Sequence, residues 1–278
     1  MHPYLNIAVK AARRAGDIII RGLARFEGME VISKGLNDYV TSTDRAAEAA
    51  IIETLGEAYP HHGFLAEESG ETKGTADVVW IIDPLDGTTN FMHGFPQFAV
   101  SIACQMGGKM EHAVIYDPMR QEIFTATRGD GAYLENKRLR VSKQRTLEGA
   151  LIGTGFPYRD NLQLLDPYMA MMKAVMQRAA GLRRPGAASL DLAYIAAGRT
   201  DGFWEIGLKP WDTAAGTLLI REAGGLVATL DGGEYKQNGN IVAGTPRVFN
   251  ELLETIEPFL VPQLREASTP TAPVPPIA

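Results

Sequence analysis

The sequence predicts an α+β protein, on three observations. Apolar residues recur at helical spacing through the first sixty residues. Short β-branched runs separated by glycine-containing turns follow from 98 to 134, and beyond 150 helical and strand patterns interleave.

Leu5, Ala8, Val9, Ala12, Ile19 and Leu23 share one face, so residues 4–24 are expected to form an amphipathic helix. Gly28 and Gly35 mark an irregular segment. A second helix is expected from Thr43-Asp44, whose small oxygen-bearing side chains suit an N-cap, through Ala47, Ile51, Ile52 and Leu55 to just before Pro60. Phe64-Leu65-Ala66 and Val78 to Ile82 then read as buried strands, each followed at once by carboxylates: Glu67-Glu68 after the first, Asp83 after the second. Phe98 to Met106, Glu111 to Tyr116 and Glu122 to Thr127, separated by Gly107-Gly108, Asp117-Pro118 and Gly129-Asp130-Gly131, predict a largely antiparallel sheet.

In the second half a strand is expected near Ala150 to Gly153, a Met-rich helix from Pro167 to Ala180 and another helix from Leu190 to Ala197. A strand at Phe203 to Ile206 and helices from Thr213 to Ala223 and Pro246 to Leu260 follow. Met169, Met171, Met172 and Met176 are expected as core filler. The expected division is an N-terminal α+β half over 1–146 and a C-terminal α/β half over 147–266. The Pro-, Thr- and Ala-rich stretch 267–278 is expected as a disordered tail.

Composition narrows the function. A chain of 278 residues, 45% hydrophobic and 22% charged, has the makeup of an ordinary globular protein. Its formal charge of −6 argues against gripping nucleic-acid phosphates as the main task. Cys104 is the single cysteine, so no intrachain disulfide forms and a reducing, cytoplasmic setting is expected. The apolar run Ile18-Ile19-Ile20 behind Lys10, Arg13 and Arg14 is too short for a signal peptide, and no run approaches the ~20 apolar residues of a membrane span.

Trp80-Ile81-Ile82-Asp83-Pro84-Leu85-Asp86-Gly87-Thr88-Thr89-Asn90 carries the most chemistry. Asp83 is expected where the strand ends, and Pro84 turns the chain so that Asp83, the Leu85 carbonyl and Asp86 can face one point. Gly87 permits close backbone approach, and Thr88-Thr89 offer hydroxyls and amides of the kind a helix start presents to an anion. Taken alone, these residues also make a good turn, which is an adequate explanation of the spacing. Asp212, after Trp211 and ahead of an Ala/Leu-rich helix, is expected as an N-cap, a role compatible with holding a metal. If Glu67, Asp83, Asp86 and Asp212 converge, their like charges raise one another's pKa or demand cations. All-oxygen donors without cysteine or clustered histidine select magnesium or manganese over zinc. No P-loop, His-Glu-x-x-His or Gly-x-Ser-x-Gly pattern is present.

Glu67-Glu68-Ser69, Trp80 to Phe91 and Trp211 to Gly225 resemble the three motifs of the inositol monophosphatase family, and the similarity runs from about His2 to Leu260. The resemblance implies a layered αβαβα sandwich with the site between the halves, and hydrolysis of inositol 1-phosphate or related polyol phosphates. It also implies a homodimer dependent on two to three Mg2+ ions, with Mn2+ as a substitute, and inhibited by lithium. Glu67, Asp83 and the Leu85 carbonyl would hold one ion, Asp83, Asp86 and Asp212 a second, and Glu67 would help with a third. Thr88, paired with Asp44, would orient and deprotonate the attacking water, while the Gly87 and Thr88 amides bind phosphate. Lys34 would lie in a mobile loop closing over the site; Asp86, Glu205 and the backbone of Gly186, Ala187 and Ala188 would meet the polyol. The family usually has a hydroxyl residue where this chain has Ala187. Similarity to bacterial members further implies binding to RNA polymerase and Nus factors in ribosomal-RNA antitermination. That role could stand beside catalysis or replace it, and no membrane partner is expected.

Overall fold

The computed structural model describes residues 2–24, 31–35, 38–157, 159–237 and 239–266. The expected disordered tail over 267–278, and Gly28, lie outside the described residues. Helix α1 (Pro3–Leu23) starts where the sequence periodicity starts. The His2 ring accepts the Tyr4 amide at 3.2 Å, and Pro3 occupies the first turn, where no amide partner is needed. The segment expected to be irregular around Gly35 is instead a ribbon of β1 (Val31–Gly35) and β2 (Asp38–Thr41). Its short strands lack the apolar run that marks a buried strand. Helix α2 (Ser42–Ala58) begins earlier than expected. Thr41 is its cap, and Asp44, in its first turn, reaches back to the Thr41 amide.

Strands β3 (Gly63–Ala66), β4 (Gly70–Thr72) and β5 (Val78–Asp86) precede the short helix α3 (Thr88–Met92). Strands β6 (Ala99–Met106), β7 (Lys109–Asp117), β8 (Glu122–Thr127), β9 (Gly131–Leu134) and β10 (Lys137–Arg138) follow. They form one eight-stranded sheet in the order β10-β9-β8-β7-β6-β5-β3-β4. It is antiparallel as expected except where β3 runs parallel to β5.

The second half holds β11 (Leu151–Thr154), α4 (Leu165–Met176), β12 (Gly181–Arg183), α5 (Ala188–Ala196), β13 (Gly202–Glu205) and α6 (Pro210–Glu222). It ends with β14 (Leu226–Ala228), β15 (Ile241–Gly244), α7 (Pro246–Ile256) and α8 (Pro262–Glu266). A five-stranded sheet in the order β12-β11-β13-β15-β14 results. The expected helix over Pro246 to Leu260 stops at Ile256 and continues as a 3-10 turn, because Pro258 lacks the amide that another α turn needs. The Met-rich helix is shorter than expected, and its methionines divide. Met171 and Met172 are core, whereas Met169 and Met176 are exposed, which corrects the expectation that all four fill the core.

Strand alternation stacks the layers. On β5, Trp80 and Ile82 pack against α1 and α2, while Ile81 points to the other side, where α5 and α6 lie. On β13, Phe203 faces α5 and α6, while Trp204 faces α4 and α7. The order is therefore α1/α2, large sheet, α5/α6, small sheet, α4/α7: the αβαβα sandwich. Each large side chain fully buried in these layers contributes about 1.5–3 kcal/mol relative to exposure. The middle layer packs through small residues, Ala99, Ala103 and Ala113 from the sheet against Ala193, Ala214 and Ala215 from the helices. That closeness brings the starts of α5 and α6 up to the end of β5. No helix among the described residues is long and apolar enough to cross a membrane.

Candidate active site

Because β3 and β5 are parallel with Ala66 opposite Ile82, the residues after them, Glu67 and Asp83, emerge side by side at one end of the sheet. The Glu67 amide donates to the Ile82 carbonyl at 3.1 Å, and the Glu67 and Asp83 side chains are hydrogen-bonded to each other.

β5 does not end at Asp83, as expected; it runs on to Asp86 through a bulge. In an uninterrupted strand, residues three apart face opposite sides. Here Asp83 pairs with Ser101 and Asp86 with Ala99, so Pro84 and Leu85 together oppose the single Val100. The extra residue returns Asp86 to the side that Asp83 occupies. Pro84 fits this position because its missing amide falls where the ladder is interrupted. Gly87 then takes φ 92°, and a side chain there would place Cβ 2.9 Å from the Gln97 carbonyl, so conformation and space both require glycine. Helix α3 follows at once. The Thr88 hydroxyl lies 3.0 Å from Asp44 Oδ1 and 3.1 Å from the Leu85 carbonyl. Asp44 is fully buried, and its other oxygen accepts the Thr41 amide at 2.9 Å.

Asp212 is in the first turn of α6 rather than at its cap. Lys209 is the cap, and its amide donates to Asp212 Oδ2 at 2.6 Å. The helix start is drawn to the large sheet by Ser101, whose hydroxyl donates to the Trp211 carbonyl at 3.1 Å. Ser101 is also the residue opposite Asp83, so this bond sets Asp212 beside it. Asp83, Asp86 and Asp212 each present an oxygen within 4.8 Å of the others.

Of the predicted polyol-side residues, Gly186, Ala187 and Ala188 lead into α5 next to Gly87. Asn90 fastens this turn by donating to the Pro185 carbonyl at 2.8 Å and the Gln97 carbonyl at 2.7 Å. Glu205, at the end of β13, lies over Gly155, where a Cβ would fall 1.9 Å from its carboxylate. Burial pushes Glu205 up to about 8, opposed by Arg184 and assisted by Asp212 and Asp86. Lys34 lies not in a loop but at the irregularity between Ser33 and Gly35 of the β1–β2 ribbon, and its side chain is outside the described residues.

Ser189 was not anticipated. Its amide donates to Asp86 Oδ2 at 2.7 Å and its hydroxyl to the same oxygen at 2.5 Å. A hydroxyl thus stands two positions beyond Ala187, on the carboxylate itself. Sequence carried one signal for it, a serine in the first turn of a helix, but not its target.

Burial and the neighbouring Glu67, Asp86 and Asp212 push the Asp83 carboxyl well above its ordinary value. Burial and Asp212 push Asp86 up to about 7, partly offset by Ser189. Burial also raises Asp44, against the hydrogen bonds from Thr41 and Thr88. Converging buried carboxylates in this condition need either protons or a cation. The donors are all oxygen, a set suited to a hard divalent ion, so the residues present fit one.

The inositol monophosphatase family model matches residues 1–259. A curated relative from Pseudomonas aeruginosa, named Nus factor SuhB, is 56% identical over 270 residues, covering 95% of this chain and 100% of the relative. The crystal structure of extragenic suppressor protein suhB from Bartonella henselae matches with a TM-score of 0.88 at 46% identity, over 91% of this chain and 97% of that one. An inositol monophosphatase from Anabaena matches with a TM-score of 0.80 at 36% identity, over 92% and 95% of the two chains. With its layers, its clustered carboxylates and a match along almost its whole length, this chain belongs to the inositol monophosphatase family.

Proposed function

We propose that the chain is a magnesium-dependent phosphatase that hydrolyses inositol 1-phosphate and related polyol phosphate monoesters. The observation that carries this reading is the convergence of Asp83, Asp86 and Asp212 from both halves of the chain, with the Thr88–Asp44 pair beside them. Glu67, Asp83, the Leu85 carbonyl, Asp86 and Asp212 would hold two to three Mg2+ ions, with Mn2+ as a substitute. Bound metal supplies positive charge that acidifies water and offsets charge on the phosphate oxygens.

The rest falls to the chain's own groups. Thr88 Oγ1 takes a proton from the attacking water as its own hydrogen passes to Asp44 Oδ1, a carboxylate that burial predisposes to accept one. The water oxygen bonds to phosphorus as the bond from phosphorus to the ester oxygen breaks; the departing oxygen takes a proton from solvent water and leaves as the free polyol, and Asp44 returns its proton to solvent. Amides of Gly87 and Thr88 hold the phosphate; Asp86, Glu205 and the backbone at Gly186, Ala187 and Ala188 hold polyol hydroxyls. The test is phosphate release from inositol 1-phosphate with and without Mg2+, for the wild type and Asp83→Asn. Turnover that persists without metal, or in Asp83→Asn, overturns the reading. A panel including fructose 1,6-bisphosphate and nucleotide 3′-phosphates fixes the substrate.

A second role is supported by the relatives named Nus factor SuhB. In it the chain binds RNA polymerase and Nus factors in ribosomal-RNA antitermination, in the cytoplasm, with catalysis dispensable. Asp83→Asn is then expected to retain polymerase in pull-downs, and failure of both wild type and variant to do so refutes this role. A homodimer is supported by the apolar stripe Leu162, Leu165, Met169 and Met176, exposed along α4 and the turn before it.

A further inference from the structure

Helix α2 reaches the site twice. Asp44 meets Thr88, and one turn further on, on the same buried face, Glu48 meets the turn that carries Glu67. Glu48 is 4% exposed, and each of its carboxylate oxygens accepts one backbone amide, Ser69 N at 2.8 Å and Glu68 N at 2.8 Å. With the Glu67 amide bonded to the Ile82 carbonyl, three successive amides are held, two by Glu48 and one by β5. The turn needs such an anchor. It joins β3 to β4, a three-residue strand at the edge of the sheet, and only Phe64–Thr72, Leu65–Glu71 and Ala66–Gly70 pair across that hairpin. A short edge hairpin is marginal by itself. Carboxylate-to-amide bonds in a buried setting are stronger than neutral ones, and removing the acceptor leaves two inward-facing amides unpaired.

We propose that Glu48 is a positioning residue for the metal centre: by clamping the Glu68 and Ser69 amides it fixes Glu67 beside Asp83. One helix then sets the spacing between the water-activating pair and the Glu67 ligand. This rests on the metal-dependent reading above.

The test titrates Mg2+ into the full chain by calorimetry, and in parallel into a phosphate-release assay, for wild type, Glu48→Gln and Thr54→Val. Glutamine keeps the size of the side chain but offers one acceptor where two are used. Glu48→Gln is expected to raise the Mg2+ midpoint of binding and of activity together by roughly ten- to a hundredfold, with kcat at saturating Mg2+ within about threefold of wild type. Thr54→Val loses hydroxyl bonds on the same helix, to the Ala50 carbonyl and Arg14, and is expected to lower the melting temperature without moving the Mg2+ midpoint. Where the glutamine variant does not accumulate, Glu48→Asp, with its shortened reach, is expected to shift the midpoint in the same direction. A Mg2+ midpoint within about twofold of wild type in a folded Glu48 variant overturns the proposal, because losing the bonds that orient a metal ligand should cost more than that. Wild type that binds Mg2+ but releases no phosphate refutes the phosphatase reading alone, and calorimetry still decides the role of Glu48. Wild type that binds no Mg2+ overturns both.

Discussion

Raising the pH should make the protein increasingly dependent on metal for its stability, by an amount of which Asp86 sets the lower bound. In the folded chain without metal this carboxyl is raised to about 7, by burial first and then by Asp212, against an ordinary value of 3.8. A group with a raised folded pKa binds its proton more tightly folded than unfolded. Its contribution to stability is complete below the unfolded value and is lost as pH climbs through the folded one. At pH 5 the unfolded carboxyl is already ionised, so the loss within reach of experiment falls between pH 5 and 7. At about 1.4 kcal/mol per pH unit this comes to about 3 kcal/mol. For a chain of this size it corresponds to a melting-temperature change of about 6 °C. The assay is thermal melting from pH 5 to 8 in chelator and in Mg2+, taking the difference between the two at each pH so that groups away from the site cancel. Stabilisation by Mg2+ is expected to grow by at least about 6 °C across that range. In Asp86→Asn the growth should be smaller, with the raised Asp83 carboxyl left to supply the remainder. A difference that stays flat or shrinks as pH rises would refute the reasoning, since the carboxylates would then not be held in want of a cation.

Thr88→Ala should lower kcat by roughly a hundredfold or more with little change in the Mg2+ midpoint, because it removes the hydroxyl that hands a proton to Asp44; steady-state kinetics at saturating metal checks it. Ser189→Ala keeps the amide on Asp86 and loses the hydroxyl, so the Mg2+ midpoint should rise up to about tenfold in calorimetry. His112 is 4% exposed, stacks on His2 and is pushed down to about 4 by burial. Its contribution to stability is complete above the unfolded pKa near 6.5 and is lost as pH falls through 4, a total of about 3 kcal/mol. Chelated His112→Asn should therefore show a flatter acid limb in melts from pH 7 to 4.

Much of the site could be read from the chain because its parts lie at the ends of strong local patterns. Glu67 and Asp83 terminate the apolar runs of β3 and β5, and runs of that kind report burial directly. Asp86 lies within reach of Asp83 along the chain, although the expected turn proved to be a bulge. Asp212 needed the family pattern, because an acid near a helix start is common for local reasons. The partners that set these carboxylates in place were illegible for a different reason. Ser189, Ser101 and Glu48 act through bonds to groups 103, 110 and 20 or 21 residues away, and such bonds leave no periodicity. The β1–β2 ribbon and the edge strands β12 and β14 were missed likewise. They are short, and their pairing rather than their composition makes them strands.

The bulge in β5 makes pairing register a stricter requirement than segment composition. Exchanging Leu85 for another apolar residue alters packing by degrees, whereas ironing out the bulge with every residue kept, so that Pro84 alone opposes Val100 and Leu85 takes the place opposite Ala99, sends Asp86 through the sheet to the opposite layer. No side-chain adjustment reverses that, so a one-residue slip in pairing beyond Asp83 would disarm the molecule while leaving its hydrophobic layers nearly intact.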